Sequence, residues 1–309
     1  MHVAAIDGGG TKTAGAMADR RGAVTILPPL PGSSPQDGPG WEAVWSEALS
    51  RVARGAEAVV LGVAGRDEVP AHDRAVDALV ASRLACPWEA INDVALAHLG
   101  AFGGGPGVLI LSGTGSMAWA RGPAGEARVG GWGDVIGDEG SAHWIGREAL
   151  ARAAQALDGR GPGDLPFAQA LCGRLGATGP FAPLAWLMER QAGRAAVAGV
   201  ARHVDALGLA GHGAAQEIMA GAAGHLARAA RVAAGRVGLA APLPWVARGG
   251  TFASAVLVAL VTHEIGGWPP ATPRLTTLGG GLLRAARLAG WDADDAWAAK
   301  VDARLRAFA

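Results

Sequence analysis

The sequence predicts an α/β protein of two domains. Its 309 residues are about twice the length of an average domain. Short apolar runs that end in glycine-rich turns alternate with segments whose apolar residues recur at helical spacing, and this alternation is typical of parallel sheets covered by helices. Half of the residues are hydrophobic and 17% are charged, a balance that excludes an intrinsically disordered chain.

Strands and helices alternate in the first half of the chain. Apolar runs predict strands at 3–6, 14–18, 58–63, 90–91, 108–111 and 117–120. The last two are expected to pair across residues 112–116. Helical spacing predicts helices at 41–54 and 74–84, and the Pro- and Gly-rich stretch 28–40 is expected to be a loop.

Helices dominate the second half. Alanine-rich patterns predict helices at 139–157, 183–191, 195–207 and 214–237, then a strand at 245–247 and a helix from 252. A strand at 275–278, a turn at 279–281 and another helix follow. We expect an N-terminal domain at 1–104, joined by a C-terminal helix at 285–309, and a second domain at 105–284.

Charge and cysteine content narrow the function classes. Basic and acidic residues both number 27, which argues against a nucleic-acid binder led by electrostatics. Two cysteines make neither a disulfide framework nor a zinc cluster. The N-terminus lacks the pattern of a signal peptide, and the charge-free stretch 94–120 is too interrupted for a membrane span. We therefore expect a cytoplasmic protein without a membrane or nucleic-acid partner.

A glycine-rich segment near the N-terminus carries the first candidate site. In DGGGTKT, at 7–13, an acid at a strand end is followed by three glycines and by hydroxyl and ammonium groups, a composition typical of phosphate binding. Asp7 could hold hydrated Mg²⁺. The candidate phosphate contacts are Gly9, Gly10, Thr11, Lys12 and Thr13. Walker A spacing is absent, and an ordinary glycine-rich turn is the alternative.

A second donor-rich loop, SGTGS at 112–116, directly follows a predicted strand. Its hydroxyls alternate with glycines, which makes these residues candidate phosphate contacts: Ser112, Gly113, Thr114 and Gly115. The same letters fit a dinucleotide-binding fingerprint, which would need a helix starting at Gly115 instead of a hairpin.

Asn92 and Asp93 stand at the end of a short predicted strand. The Asp93 carboxylate could accept a proton from a substrate hydroxyl. The alternative is a turn that caps a helix beginning at Val94.

A tryptophan among glycines marks the segment GGWGDVIGDEGS at 130–141. The Trp132 ring could cover a sugar ring, and the Asp138 carboxylate could accept hydrogen bonds from sugar hydroxyls. The structural alternative is a helix that starts here, with Asp138 as its N-cap and Glu139 in its first turn.

Two further glycine clusters follow predicted strands. RGGT at 248–251 suits a nucleotide base or ribose packed on the bare backbone of Gly249 and Gly250. Close helix–strand packing is the alternative for this pair and for the glycines at 279–281.

These elements, in this order and spacing, resemble the N-acetylglucosamine kinase branch of the acetate kinase/hexokinase/actin superfamily, a group allied with the BadF/BadG/BcrA/BcrD ATPases. DGGGTKT is similar to the family's first phosphate motif, LSGTGS to its second and VARGGTF to its adenosine motif. The longest and most specific match is GGWGDVIGDEGSAHWIGREAL. The resemblance spans about residues 3–283, although 157–242 carries no matching motif.

The resemblance implies two RNase H-like, actin-like ATPase domains with a nucleotide and sugar cleft between them. It also implies phosphorylation of an amino sugar, N-acetylglucosamine or glucosamine, at the 6-hydroxyl, with ATP and Mg²⁺. Asp93 would be the catalytic base and Asp7 the Mg²⁺-linked acid. The nucleotide would lie along the two phosphate motifs and the Gly249–Gly250 pair. The implied sugar contacts are Ser34, Asn92, Asp93, Thr114, Gly131, Trp132 and Asp138.

The sequence departs from the family pattern at Ser34, where the family usually carries a sugar-contacting Asn, and this leaves the identity of the sugar open. The iron–sulfur cysteines of dehydratase-activating ATPases are absent, which argues against a redox activase. Three alternatives remain: an ATPase that acts with a protein partner, a non-catalytic sugar-sensing module and a dinucleotide-dependent oxidoreductase. The sequence does not determine the oligomeric state, and a homodimer is one form that the protein could take.

Overall fold

The computed structural model describes residues 1–189 and 193–308. Its strands are β1 (His2–Gly8), β2 (Lys12–Ala18), β3 (Val24–Ile26), β4 (Leu30–Pro31), β5 (Ala56–Val63), β6 (Trp88–Asn92), β7 (Gly107–Ser112), β8 (Ser116–Gly122), β9 (Gly125–Gly130) and β10 (Trp245–Arg248). Its helices are α1 (Trp41–Ala53), α2 (Pro70–Arg83), α3 (Asp93–Phe102), α4 (Ala142–Leu157), α5 (Leu165–Leu175), α6 (Ala182–Glu189), α7 (Arg194–Gly199), α8 (Ala201–Leu209), α9 (Gly213–Arg236), α10 (Ala255–Glu264), α11 (Thr277–Leu288) and α12 (Asp295–Arg306). Short 3-10 helices lie at Pro162–Asp164 and Gly250–Ala253.

The chain divides into two compact units, each with its own sheet. The first unit is Met1–Gly105 with Thr272–Ala309, and the second is Pro106–Ala271. The structure therefore moves the second boundary from the expected residue 284 to residue 271. The reason is that α11 packs on α3, β1 and β5 of the first unit.

The sheet of the first unit has the order β3-β2-β1-β5-β6, with β4 on β2. Strands β1, β5 and β6 are parallel, and β2 is antiparallel to β1. Alternate residues of β1 enter two apolar clusters: Val3 and Ala5 pack in the cluster with Leu282 of α11, while Ala4 and Ile6 pack in the cluster with Trp45 of α1. Helices on both faces explain why this strand is an unbroken apolar run.

Strand register brings the carboxyl ends of β1, β5 and β6 to one edge of this sheet. Asp7 pairs with Gly62, which pairs with Ile91, so the residues that follow each strand are neighbours. Because adjacent strands lie about 4.8 Å apart, the end of β1 and the start of α3 are separated by roughly 10 Å along this edge.

The sheet of the second unit has the order β10-β7-β8-β9. Strands β7 and β8 form an antiparallel hairpin in which Ser112 pairs with Ser116, as expected. The dinucleotide alternative is therefore wrong, because it needs a helix starting at Gly115. The long helix α9 lines this sheet with small and aliphatic residues, including Ala222 and Leu226, which are buried in the core.

The predicted strand at 275–278 is wrong. Thr276 caps α11 by accepting the N–H of Gly279 at 3.1 Å, so the run belongs to a helix. Gly279, Gly280 and Gly281 are inside α11, where a Cβ on Gly280 would overlap the backbone of Gly100 in α3. The glycines thus serve close packing, which was the alternative expectation, and an apolar run of this length does not distinguish strand from buried helix.

Several other boundaries differ from the sequence-based expectation. The expected helix at 139–157 begins at Ala142, the helix at 195–207 is split into α7 and α8, and the helix expected from 252 begins at Ala255. Strand β3 lies just before the expected loop at 28–40, and β4 lies within it. Strand β9 and helix α5 were not expected. The predicted helix at 183–191 corresponds to α6, and its last two residues lie outside the described part. Within residues 1–189 and 193–308, no helix is long and apolar enough to cross a membrane.

Candidate active site

The DGGGTKT segment forms the β1–β2 hairpin of the first unit. The N–H of Gly9 donates to the carbonyl of Lys12 at 3.2 Å, and the N–H of Ser33 donates to the carbonyl of Gly9 at 3.1 Å. Gly32 is required here because a Cβ would overlap the carbonyl of Gly10. The loop after β4 is thus held directly against the hairpin turn.

Buried side chains fix this loop. The Thr13 hydroxyl donates to the Ser33 hydroxyl at 2.8 Å, and the Trp45 indole N–H donates to the Ser33 carbonyl at 3.0 Å. Ser34 is 7% exposed, and its Oγ accepts the N–H of Gln36 at 3.2 Å. The hydroxyls of Thr13 and Ser33 therefore support the loop from inside.

Packing alone does not require glycine at positions 9 and 10. Neither has a left-handed φ, and a Cβ would meet only the Lys12 carbonyl at 3.3 Å or the Asp37 carboxylate at 3.2 Å. Thr11 is exposed, as is Lys12. An open, donor-rich turn of this kind suits the close approach of a phosphate. Asp37 is a nearby carboxylate that the sequence did not single out.

Asn92 and Asp93 lie at the start of α3, on the sheet edge that β1 also reaches. The Asn92 Oδ1 accepts the N–H of Val94 at 2.9 Å, and its Nδ2 donates to the carbonyl of Arg66 at 3.1 Å. The capping alternative for Asn92 is therefore confirmed. Asp93 is the first helical residue and is half-buried, at the helix end where negative charge is stabilised.

The loop that carries Arg66 is itself anchored. The Arg66 guanidinium donates two hydrogen bonds to the Asp77 carboxylate of α2, at 2.7 and 3.1 Å, and these hydrogen bonds raise the pKa of Arg66. The Arg66–Asp77 ion pair holds the loop whose Arg66 carbonyl accepts a hydrogen bond from the Asn92 amide. It therefore stabilises the start of α3 next to Asp93.

In the second unit, the SGTGS loop is tied to its neighbours by serine hydroxyls. Ser112 Oγ donates to the carbonyl of Gly140 at 2.9 Å, and Ser116 Oγ donates to the carbonyl of Glu139 at 2.8 Å. Both serines are buried, whereas Thr114 is exposed and a Cβ on Gly113 would meet nothing within 4 Å. The middle of the loop is therefore open to a ligand.

Gly249 packs against the same loop. Its φ is +101°, and a Cβ would overlap the carbonyl of Ser112. The Thr251 hydroxyl donates to that carbonyl at 2.5 Å. The RGGT segment is thus joined to the SGTGS loop by backbone contact.

The GGWGDVIGDEGS segment contains both exposed and buried candidates. Trp132 is 73% exposed, Gly131 has a left-handed φ, and Asp138 is 3% exposed with a φ of +55°. Asp138 does not cap α4; Ser141 does, accepting the N–H of Trp144 at 3.1 Å. Asp138 instead forms an ion pair with Arg194.

A cavity of about 510 Å³ opens beside the SGTGS loop within the second unit. This volume lies in the range of about 300–1,000 Å³ typical of small-molecule sites. Its lining is partly apolar and partly polar: Gly113, Thr114, Ala142, Ile145, Ala198, Gly199, Ala201, Arg202, Asp205, Met219, Gly250, Thr251, Ala253 and Ser254. Two predicted loops therefore border one cavity.

One wall of this cavity comes from α7 and α8, in the stretch where the sequence showed no motif. Asp205 accepts a hydrogen bond from the Ser254 hydroxyl at 2.5 Å, and Ser254 caps α10 by accepting the N–H of Leu257 at 3.0 Å. Arg202 lines the same wall. Its spacing from Asp205 places the two side chains on one helix face, which is the only sequence signal that could have identified them.

Metal ligands are sparse in the described residues. No group of three or more His, Cys, Asp or Glu side chains that could hold a metal ion occurs within 1–189 and 193–308. Mg²⁺ commonly binds through one or two carboxylates, waters and substrate phosphates, so a single acid such as Asp7, near the end of β1 in the hairpin, fits this mode of binding.

Comparisons with known proteins identify relatives along most of the chain. The BadF/BadG/BcrA/BcrD ATPase family matches residues 5–277. An N-acetylmuramic acid/N-acetylglucosamine kinase from Clostridium acetobutylicum is 34% identical over 119 residues. That alignment covers 37% of this chain and 39% of the relative, so the chain matches well under half of the relative's length.

Solved structures share the fold. A proposed N-acetylglucosamine kinase from Chromobacterium violaceum has a TM-score of 0.68 at 25% identity, covering 93% of this chain and 98% of that chain. A ROK family glucokinase from Streptomyces griseus, solved with glucose and AMPPNP, has a TM-score of 0.52 at 18% identity, covering 93% of this chain and 99% of that chain. The expected two-domain, actin-like fold is confirmed.

Proposed function

Because this chain belongs to the BadF/BadG/BcrA/BcrD ATPase family, we propose that it is an ATP-dependent kinase of amino sugars. The acceptor would be the 6-hydroxyl of N-acetylglucosamine or glucosamine. The observation that carries the proposal is the cavity beside the SGTGS loop. It has the size of a small-molecule site, two open glycine positions at Gly113 and Gly250, and a carboxylate held by a hydroxyl.

The second unit would bind the nucleotide. Apolar residues such as Ile145 and Met219 suit a purine ring, while the Asp205 carboxylate suits the hydroxyl donors of ribose. The bare amides of the SGTGS loop and the Thr114 hydroxyl would donate to phosphate oxygens. Ser112 would support the loop instead of contacting a phosphate, because its buried hydroxyl donates to the Gly140 carbonyl.

The first unit would supply the base and the second phosphate loop. Asp93 would accept the proton of the sugar 6-hydroxyl while that oxygen bonds to the γ-phosphorus of ATP. The bond from the γ-phosphorus to the bridging oxygen would break, and ADP would leave. Gly9, Gly10, Thr11 and Lys12 would donate to the phosphates.

Asp7 would hold Mg²⁺ through water, next to these phosphates. When bound, the metal ion supplies positive charge that offsets the charge developing on the phosphate oxygens. Sugar hydroxyls would donate to the Asp138 carboxylate, and the apolar face of the sugar ring would stack on the exposed Trp132. Thr13 would not contact the phosphates, because its buried hydroxyl donates to the Ser33 hydroxyl.

The similarity to sugar kinases supports an amino sugar as the acceptor. The Clostridium relative is described as acting on N-acetylmuramic acid and N-acetylglucosamine, and the Chromobacterium structure as an N-acetylglucosamine kinase. Both sugars therefore belong in the substrate panel, together with glucosamine and N-acetylmannosamine.

A coupled ADP-release assay over this panel tests the proposal. We expect ADP release that depends on an amino sugar and stops when a 6-deoxy analogue replaces it. Phosphorus NMR of the product would show a phosphate ester on the 6-oxygen. ATP hydrolysis that no sugar changes would contradict the proposal and favour an ATPase that acts with a protein partner.

A further inference from the structure

Asp138 is a buried acid in an unusual backbone conformation. Its φ is +55° although it carries a side chain, and only 3% of the residue is exposed. Non-glycine residues in this region are strained and persist where the surrounding structure requires them, often at binding sites. The strain places the carboxylate against the SGTGS loop, where a Cβ on Gly115 would lie 2.7 Å from Asp138 Oδ2.

Arg194 is the charged partner of this carboxylate. It is the first residue of α7, 56 positions along the chain, and its guanidinium pairs with Asp138 Oδ2. Its Nε lies 3.5 Å from Asp134 Oδ1. The Arg194 side chain is 42% exposed and the Asp138 side chain only 4%, so the ion pair links a buried carboxylate to a partly exposed guanidinium.

Opposing influences act on the pKa of Asp138, and the net effect raises it. Burial raises the pKa of Asp138, whereas Arg194 and the N–H groups of Ser116 and Gly133 lower it. The charge of Asp134 raises it further. His143 also faces this cluster, but burial lowers the pKa of His143, so it contributes little positive charge at neutral pH. Arg194 is therefore the main group that favours the charged carboxylate.

We propose that Arg194 is a positioning residue for sugar binding, which keeps the Asp138 carboxylate ionised and correctly oriented to accept sugar hydroxyls. The inference rests on the proposed function for the role of Asp138. An ionised carboxylate is an acceptor only, whereas a protonated one loses part of its acceptor capacity. Arg194 and the N–H groups of Ser116 and Gly133 occupy part of the acceptor capacity of the carboxylate, so only the remaining lone pairs can accept sugar hydroxyls, which restricts the geometry in which a sugar can bind.

The test uses Arg194→Met, which keeps the length of the side chain and removes its charge, and Arg194→Lys, which keeps the charge. The control is Arg160→Met, because Arg160 pairs with Asp158 at 2.7 Å on the solvent side of the same unit. The sugar and ATP KM, kcat and melting temperature are measured from pH 6 to 9. Calorimetry gives the sugar Kd without turnover.

We expect the sugar KM of Arg194→Met to rise about 10- to 100-fold at the acid end of this range, as for loss of a charge-assisted hydrogen bond. If the penalty comes from the lost charge, it should be larger at the acid end than at the alkaline end, because burial raises the pKa of Asp138 and Arg194 opposes that rise. The KM for ATP should change by less than about threefold, and Arg194→Lys should recover most of the sugar affinity. Arg160→Met should match the unaltered protein.

Three results would overturn the inference. A sugar KM and Kd within twofold of the unaltered protein at every pH would show that Arg194 is dispensable. An equal penalty at every pH, with a lower melting temperature, would show a structural role only. A failure of Arg194→Lys to recover binding would show that the charge is not what matters. If the unaltered protein binds the sugar but does not phosphorylate it, the kinase proposal fails, and the sugar Kd still tests the role of Arg194. If it does not bind the sugar, both the kinase proposal and the role of Arg194 are refuted.

Discussion

The two units build their candidate sites in different ways. In the first unit, the hairpin at 7–13 and the pair Asn92–Asp93 are short contiguous segments that strand register brings to one sheet edge. In the second unit, the loop at 112–116 is completed by side-chain pairs that span 56 and 49 positions, Asp138–Arg194 and Asp205–Ser254. Side chains also support the first site, but at shorter separations: Thr13–Ser33 spans 20 positions and Asn92–Arg66 spans 26. The second site relies on side-chain pairs that lie farther apart in the sequence.

This difference explains which residues a sequence can reveal. Glycines and an acid at a strand end leave a recognisable local pattern, because the backbone amides do the binding. A single arginine or aspartate on an alanine-rich helix leaves none. The wall formed by α7 and α8 therefore became visible only once helices from distant parts of the chain were packed together.

The largest expected effect tests the first unit. Asp93→Asn should lower kcat by about a thousandfold, since the amide cannot accept the proton of the sugar hydroxyl. ATP binding, measured by calorimetry, should stay within about twofold because the proposed nucleotide contacts are those of the second unit and of the hairpin, not Asp93. Turnover near that of the unaltered protein would remove Asp93 from the reaction. The control is Asp37→Asn, which alters an exposed carboxylate near the same hairpin.

The next effect tests the backbone contact in the second unit. Gly249→Ala should lower the free energy of unfolding by about 3 kcal/mol, because the new Cβ would overlap the Ser112 carbonyl and the φ of +101° strains any side chain. Gly250→Ala is the matched control, since a Cβ there meets nothing within 4 Å. Thermal unfolding of both variants measures the difference. Equal stability of the two would mean that the RGGT segment can move away from the loop.

A smaller effect tests the cavity wall. If Asp205 binds the ribose as proposed, Asp205→Ala should raise the KM for ATP about tenfold and leave that for 2′-deoxy-ATP nearly unchanged, because the hydrogen bonds removed would be those to ribose hydroxyls. Ser254→Ala should show part of the same loss, as it removes the hydroxyl that orients Asp205. Equal losses with both nucleotides would assign Asp205 to another part of the ligand or to folding.

The smallest effect concerns pH and the buried acid. Since the pKa of Asp138 is raised on folding, the folded state loses stability as pH rises from the ordinary aspartate range through the raised pKa. Asp138→Asn removes this loss, so its stability relative to the unaltered protein should improve as pH rises from the acid range to neutral. Chemical unfolding at several pH values measures it. A constant difference across that range would mean that Asp138 titrates normally.

Much of the fold and of the first site could be predicted from the sequence. Apolar runs at β1, β5 and β7 gave correct strands because they are buried on both faces, and the SGTGS hairpin followed from its flanking strands. The run at 275–278 misled because buried helices and buried strands have the same composition over a few residues. Asp138 was expected as a sugar contact, with a helix cap as the alternative. The structure rules out the cap and pairs its carboxylate with Arg194, a residue that no local pattern connects to it.

The sequence by itself determined the α/β class, the two glycine-rich loops and the acids at strand and helix ends, because these depend on short-range spacing and on the conformational freedom of glycine. The tertiary structure alone decided that residues 272–284 belong to the first unit and that α7 and α8 close the cavity. It also decided that Arg194 pairs with Asp138. Burial, and hence the need of a carboxylate for a partner, arises only when distant segments pack together.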